Sequence, residues 1–382
     1  MARGKGEGAI YKQADGLWAV SIELPPKDGK RRRKVIRSKD KATVLRRLTE
    51  LKRELERAGD LPTASMTVAQ WFDYWMREIA TRTRRPKTVE AYRSVIKTKI
   101  LPTIGNIRLD KLTPANIRKV TSAIEADSSS TYARNAHSVM SAAFKDAERE
   151  GRIPRNPVEL VQAPRKSRTN LHALTLEEAG MLLESFSENP DSFMWATFLL
   201  TGARRGEILG LEWDRATDVL ELSWQLQRLP DGHAFPADFE YRHLTNGLYL
   251  TRPKSRAGWR IIPLVEPLRS ILARWRDLAD PNPYGLVFTR LLAGEPVPID
   301  PDIATKMWPD VLQRAGIDKA VRLHDIRHTT VDLLYLAGVP EDVISEIVGH
   351  SNRAVTRGYK SRSMERALGG MKQLSSLLGY DQ

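Results

Sequence analysis

Between Val321 and Tyr359 the chain reads VRLHDIRHTTVDLLYLAGVPEDVISEIVGHSNRAVTRGY, and its glycines and proline limit what this stretch can become. Residues 329–337 are apolar at helical spacing. Gly338-Val339-Pro340 stops that run, with Gly in its common C-terminal position. Residues 341–348 repeat the pattern as a second short amphipathic helix, closed by Gly349. His324 and Arg327, three apart at the first helix start, share one face. His350 follows the second helix, and Tyr359 lies nine residues further on.

A lone His-x-x-Arg pair is usually a solvated surface feature. Its weight changes because the chain also holds Thr201-Gly202-Ala203-Arg204-Arg205-Gly206-Glu207 far upstream, and Lys254 in a hairpin turn between two strands. The set suits a phosphodiester. Substitution at phosphorus builds charge on the nonbridging oxygens, and a guanidinium offers a planar fork to two of them. Arg204 and Arg327 fit that role, while Arg205 is expected to face outward. Glu207, one turn from Arg204, orients either Arg204 or the region around His324. Tyr359 is the candidate nucleophile. A free phenol has a pKa of about 10, so it needs cations and a base beside it to attack at neutral pH. A phosphotyrosine ester stores the bond energy, so no cofactor and no metal is expected.

Arg204, Lys254, His324 with Arg327, Gly349-His350 and Tyr359, in this order, resemble the tyrosine recombinases. The front of the chain resembles the phage integrases of that family, of the lambda type with an arm-binding first domain. The resemblance covers essentially the whole chain. It implies a 3′-phosphotyrosyl link and a free 5′-hydroxyl, with Lys254 as general acid, His324 as base or phosphate ligand, and His350 as a donor to the phosphate. It implies site-specific integration of a mobile element through a four-way (Holliday) junction, by a homotetramer on double-stranded DNA. A DNA-bending host factor and an excision factor are the expected further partners. Two departures stand out: Lys360-Ser361 follows the tyrosine where Ser or Thr and then His are frequent, and Ala203 replaces a larger apolar residue.

The charge pattern agrees. The net charge is +14, and basic residues outnumber acidic ones 17 to 9 in residues 1–62 and 20 to 10 in residues 63–168, against 24 to 28 in residues 169–382. Polyanion affinity is expected from the two front segments. The absence of cysteine fits a reducing cytoplasm and excludes disulfides and thiolate metal sites. No apolar run approaches the length of a membrane span, and the first residues do not read as a signal peptide.

The expected fold is α+β, mostly helical, in three domains. Residues 1–62 read as three strands and a helix, with Asp15-Gly16 and Asp28-Gly29 as hairpin turns and Asp40 as helix cap. Arg31, Arg32, Arg33 and Lys34 on the third strand are DNA-contact candidates, as in a sheet laid into the major groove. Residues 63–168 read as a helical core-binding bundle, with helices starting at Thr67 and Thr113-Pro114 and a fourth over residues 130–149. Its candidates are Arg84, Arg85, Lys87, Arg93 and Lys97. A polar linker over residues 163–170 leads to the mixed α/β catalytic domain, residues 169–382. Thr175 to Glu178 opens it as a capping box, strands are expected at 219–228, 247–252 and 259–263, and Lys254 turns between the last two.

Met364, Leu368, Met371, Leu374 and Leu378 fall on one helical face. Such a tail docks either on its own domain or, as the resemblance suggests, on a neighbouring protomer. A zinc hydrolase reading of His-Asp-Ile-Arg-His is disfavoured, because Arg327 repels a cation. The alternatives are a type IB topoisomerase-like strand transferase and a catalytically silent DNA-binding regulator.

Overall fold

The computed structural model describes residues 10–27, 30–58, 66–167, 173–187, 192–229, 235–253, 259–349 and 360–380. They belong to two compact units, residues 1–80 with 88–167 and residues 81–87 with 168–382.

The first unit holds two separate cores. One belongs to an antiparallel sheet, β1 (Ile10–Lys12), β2 (Trp18–Lys27) and β3 (Lys30–Ser38), backed by α1 (Lys41–Ala58). Asp40 starts the helix: its carboxylate accepts from the backbone N–H of Ala42 and Thr43. Register sets Val20 opposite Ile36, and these two, with Ile22, Val44 and Leu48, form the core. Trp18 packs against it, with the Lys41 ammonium 4.9 Å over its ring. Trp18 thus packs on the core side of the sheet.

The other core is helical. Its elements are α2 (Val68–Trp75) with a π-helical turn after it, α4 (Pro86–Val95), α5 (Leu101–Ile104), α6 (Pro114–Asp127) and α7 (Ser130–Arg149). Thr67 and Thr113 cap α2 and α6 through their hydroxyls, so both starts fall where the sequence places them. Trp71 and Trp75 are fully buried, yet both satisfy their indole N–H groups. Trp71 donates to Ala143 O at 3.1 Å and Trp75 to Asp146 Oδ2 at 2.9 Å. The first half of the expected linker is tied down: Arg134 donates to Pro164 O, and Ser167 bonds Ser130 and Thr131. Residues 168–170 of it lie outside the described residues.

The second unit has one large core. It contains α3 (Thr81–Thr83), α8 (Leu176–Ser187), α9 (Phe193–Thr201), α10 (Arg205–Leu209), α11 (Leu268–Leu278), α12 (Pro301–Arg314), α13 (Ile326–Leu336), α14 (Glu341–Val348) and α15 (Lys360–Leu377). All nine residues of α9 are buried; seven are apolar, and the hydroxyls of Thr197 and Thr201 donate to the carbonyls of Phe193 and Thr197. The Thr175–Glu178 capping box is present in both directions.

The strands depart from expectation. Residues 219–228 form two strands, β4 (Val219–Leu222) and β5 (Gln225–Arg228), in different sheets. β4 pairs with β8 (Arg260–Pro263), while β5 pairs with β7 (Leu248–Thr251), which also pairs with β6 (Tyr241–Thr245). The break is pinned at Ser223-Trp224: Arg252 donates to Ser223 O at 3.2 Å and stacks 4.1 Å from the Trp224 ring. Consequently β7 and β8 are not hairpin partners, and the stretch carrying Lys254 joins two sheets. A further hairpin, β9 (Thr289–Leu292) and β10 (Glu295–Pro298), was not expected.

The tail helix α15 packs on its own domain. Ala367, Met371 and Leu374 are buried in the large core, with Leu368, Leu377 and Leu378 packed against it. Gly370 lets the helix sit close on α14: a Cβ there would lie 3.0 Å from Val339 and 3.2 Å from Val343 and Ile347. Truncation after Ser363 uncovers this core. At about 1.5–3 kcal/mol per buried large apolar side chain, it is expected to lower stability by at least about 3 kcal/mol, read as the urea midpoint of unfolding. An unchanged midpoint would show that the helix contributes nothing by docking on its own domain.

Candidate active site

Two buried turns build the site. The first follows α9, where Gly202 adopts a left-handed conformation (φ 56°) and ends the helix. A Cβ on Gly202 would lie 3.0 Å from Thr330 and 3.1 Å from Val348, so only glycine lets this turn rest directly on α13 and α14. Arg204 then caps α10. Its backbone N–H donates to Glu207 Oε2 and its Nη1 to Glu207 Oε1, each at 2.8 Å. Its Nη2 donates to Gly349 O at 2.9 Å. Of the two roles open to Glu207, orienting Arg204 is the one its contacts show.

The second turn opens α13. His324 lies in a 3-10 turn (Leu323–Asp325) and is only partly covered, whereas Arg327, in the first helical turn, is buried. Their shared face therefore runs from surface to interior. Arg327 Nη1 donates to Gly202 O at 2.8 Å, which joins segments 125 positions apart, while its Nη2 has no partner among the described residues. Asp325 is buried and takes a two-pronged bond from Arg322, at 2.8 and 2.9 Å. That bond fixes the turn holding His324.

Charge at the site is unbalanced. Glu207 is buried, which disfavours its charge, but Arg260 and Arg204 outweigh burial and hold its carboxyl below the usual range. Burial, with Arg204 and Arg260 nearby, lowers the Arg327 guanidinium to about 9, still protonated at neutral pH. The His324 imidazole is pushed down by partial burial first, then by His328 and Arg327. Each of these influences favours the neutral imidazole. Three guanidinium groups thus surround one carboxylate, a setting made for an anion.

Arg260 was missed by sequence reasoning. It sits on β8 with Arg260 and Ile262 inward and Ile261 outward. That alternation, an arginine in phase with a buried isoleucine, was the available signal. Lys254, His350 and Tyr359 lie outside the described residues. Their neighbours are placed: β7 and β8 flank the first, Gly349 closes α14 just before the second, and α15 begins just after the third. Among the described residues no group of three His, Asp or Glu side chains is arranged to hold a metal, and no helix is long and apolar enough to cross a membrane.

Of the DNA-contact candidates, Arg31, Arg33, Lys34, Arg84, Lys87, Arg93 and Lys97 are exposed. Arg32 and Arg85 are half-buried, and Arg85 donates to the backbone carbonyls of Arg252 and Pro253. Strand alternation places Arg31, Arg33 and Arg37 on the outer face of β3, away from Ile36. Arg37 is a further exposed cation that the sequence reading passed over. Arg205 bonds Thr305 and Asp302 and takes no part in the Arg204–Glu207 contacts.

Comparison with known proteins settles the family. Residues 67–124 match "Phage integrase, N-terminal SAM-like domain", and residues 173–366 match "Phage integrase family". The chain belongs to the phage integrase family. Its catalytic domain is that of a tyrosine recombinase, so the chain is a DNA strand-cutting and rejoining enzyme that performs site-specific recombination. It is 28% identical over 407 residues to an integrase of Saccharopolyspora erythraea, covering 93% of this chain and 92% of that one. It is 25% identical over 317 residues to a XerC-like tyrosine recombinase of Caldanaerobacter subterraneus subsp. tengcongensis, covering 76% and 78%. Its fold is similar to that of a lambda integrase tetramer bound to a Holliday junction (TM-score 0.55, 16% identity, covering 92% and 98%).

Proposed function

We propose that Arg204 and Arg327 clamp the scissile phosphate while Tyr359 attacks it. The observation carrying this reading is the junction of the two arginine turns. Arg327 bonds the backbone of Gly202, two residues before Arg204, and keeps one buried nitrogen without a partner among the described residues. An unsatisfied buried guanidinium is costly and calls for an acceptor. A phosphate oxygen is such an acceptor.

The Tyr359 oxygen bonds to phosphorus, the bond to the 5′ oxygen breaks, and the phenolic proton passes to His324. Partial burial and neighbouring cations lower its pKa, which favours the neutral form that a base needs. Lys254 delivers a proton to the departing 5′ oxygen, which leaves as a hydroxyl, and His350 donates to a nonbridging oxygen. Rejoining reverses these steps with a 5′-hydroxyl from a second duplex.

Residues 63–168 and 169–382 grip the crossover site, and residues 1–62 hold a separate arm sequence, with Arg33 and Arg37 outermost on the sheet. The enzyme acts as a tetramer through a four-way junction, aided by a DNA-bending host factor and an excision factor, on DNA in the bacterial cytoplasm.

The test uses two labelled duplexes recovered from the junctions of the mobile element that carries the gene. Mixed with the protein, they are expected to give reciprocal recombinants, with equal yield in chelator. Relaxation of supercoils without exchanged strands would point to the topoisomerase-like alternative. Binding without any strand breakage would point to the silent regulator.

A further inference from the structure

Arg260 is buried on the inner face of β8, with 6% of its side chain exposed. Nε donates to Ile347 O at 2.7 Å and Nη2 to Glu207 Oε2 at 2.9 Å, while Nη1 has no partner among the described residues. Arg204 in turn bonds Glu207 and Gly349 O. These contacts close a ring: Arg204, Glu207, Arg260, then the end of α14, and back to Arg204. Two arginines each take one carbonyl at that helix end, where the macrodipole favours cations.

We infer that Arg260 is a positioning residue for strand cleavage, which locks Arg204 to the end of α14 and so sets the segment leading to the nucleophile. The inference rests on the recombinase reading above. Stability alone does not account for the residue. A buried ion pair is often no more stabilising than apolar side chains of similar volume, and Ile262 beside it shows the strand face is otherwise apolar. What an apolar residue cannot do is hold a carboxylate and a carbonyl at fixed positions. Loss of the ring leaves Glu207 with Arg204 alone and frees α14's last carbonyls, and a misplacement near 1 Å costs about 100-fold in rate. β8 also follows the stretch carrying Lys254, so Arg260 anchors the far end of that stretch to the same carboxylate.

The test compares wild type with Arg260→Met, Arg260→Lys, Glu207→Gln and the double variant Glu207→Gln/Arg260→Met. The probe is a junction duplex nicked beside the crossover point, so that cleavage traps the covalent complex. Arg260→Met is expected to bind this duplex within about threefold of wild type and to cleave about 100-fold slower in a single turnover. Arg260→Lys, which reaches one of the two acceptors but not both, is expected to fall between. The double variant is expected to be no slower than the slower of Glu207→Gln and Arg260→Met, because both break one ring. Cleavage by Arg260→Met within about threefold of wild type overturns the inference. So does parallel loss of binding, melting temperature and rate in both Met and Lys variants, which marks a purely structural residue. If wild type itself traps no adduct, the recombinase reading fails, and the two failures are thereby told apart.

Discussion

Tyr359→Phe is expected to bind attachment-site DNA as tightly as wild type and to trap no covalent complex. The substitution removes one oxygen and keeps the ring. Nothing in the phosphate clamp changes: Arg204 keeps Glu207 and Gly349 O, and Arg327 keeps Gly202 O. Binding should persist because backbone neutralisation by the basic front half supplies most of it. Chemistry should stop because the atom proposed to form the ester is gone, and removal of a nucleophile costs about 10⁴-fold or more. A denaturing gel with labelled nicked duplex reads both outcomes in one lane series, alongside a native gel for binding. Undiminished adduct in the variant would remove Tyr359 from the mechanism and send the search to other hydroxyls.

Deleting residues 1–62 is expected to leave crossover-site cleavage near wild type and to abolish integration. Among the described residues the sheet and α1 have their own core around Val20, Ile22, Ile36, Val44 and Leu48, so the helical core keeps its buried residues. Arg31, Arg33 and Arg37 leave with the deletion, and each phosphate they neutralise contributes about −0.9 to the log–log salt slope. Footprinting across the whole attachment site is the measurement. The shortened protein should protect the crossover and expose the flanking segments. Protection of every segment by the shortened protein would reduce the first sheet to a charged surface.

Much of this was legible in the sequence, wherever local chemistry decides the outcome. Thr67, Thr113 and Thr175 each announce a helix by capping, and Gly349 announces an end; all four act as read. Arg204, His324 and Arg327 were legible as a chemical set. The contact that unites the two arginines runs through the carbonyl of Gly202, which no side-chain pattern encodes. The sheets of the second unit were less legible. The Asn246-Gly247 turn, with both residues at positive φ, was a hairpin signal that should have revealed β6. The division of residues 219–228 between two sheets was not readable, because it depends on Arg252 reaching Ser223 and Trp224 across the fold. Arg260 was hidden for a related reason: a charged residue on a short strand reads as solvent-facing until its carboxylate partner is known.

At Gly202 a backbone carbonyl meets the guanidinium of Arg327 while the α-carbon rests on Thr330 and Val348. One turn contributes main chain to this junction and the other contributes a single guanidinium. The spacing of the two arginine turns is therefore a ruler whose fixed end is a carbonyl and whose length is the reach of one arginine. Bulk added at Gly202, or taken from Thr330 or Val348 beneath it, shifts the fixed end.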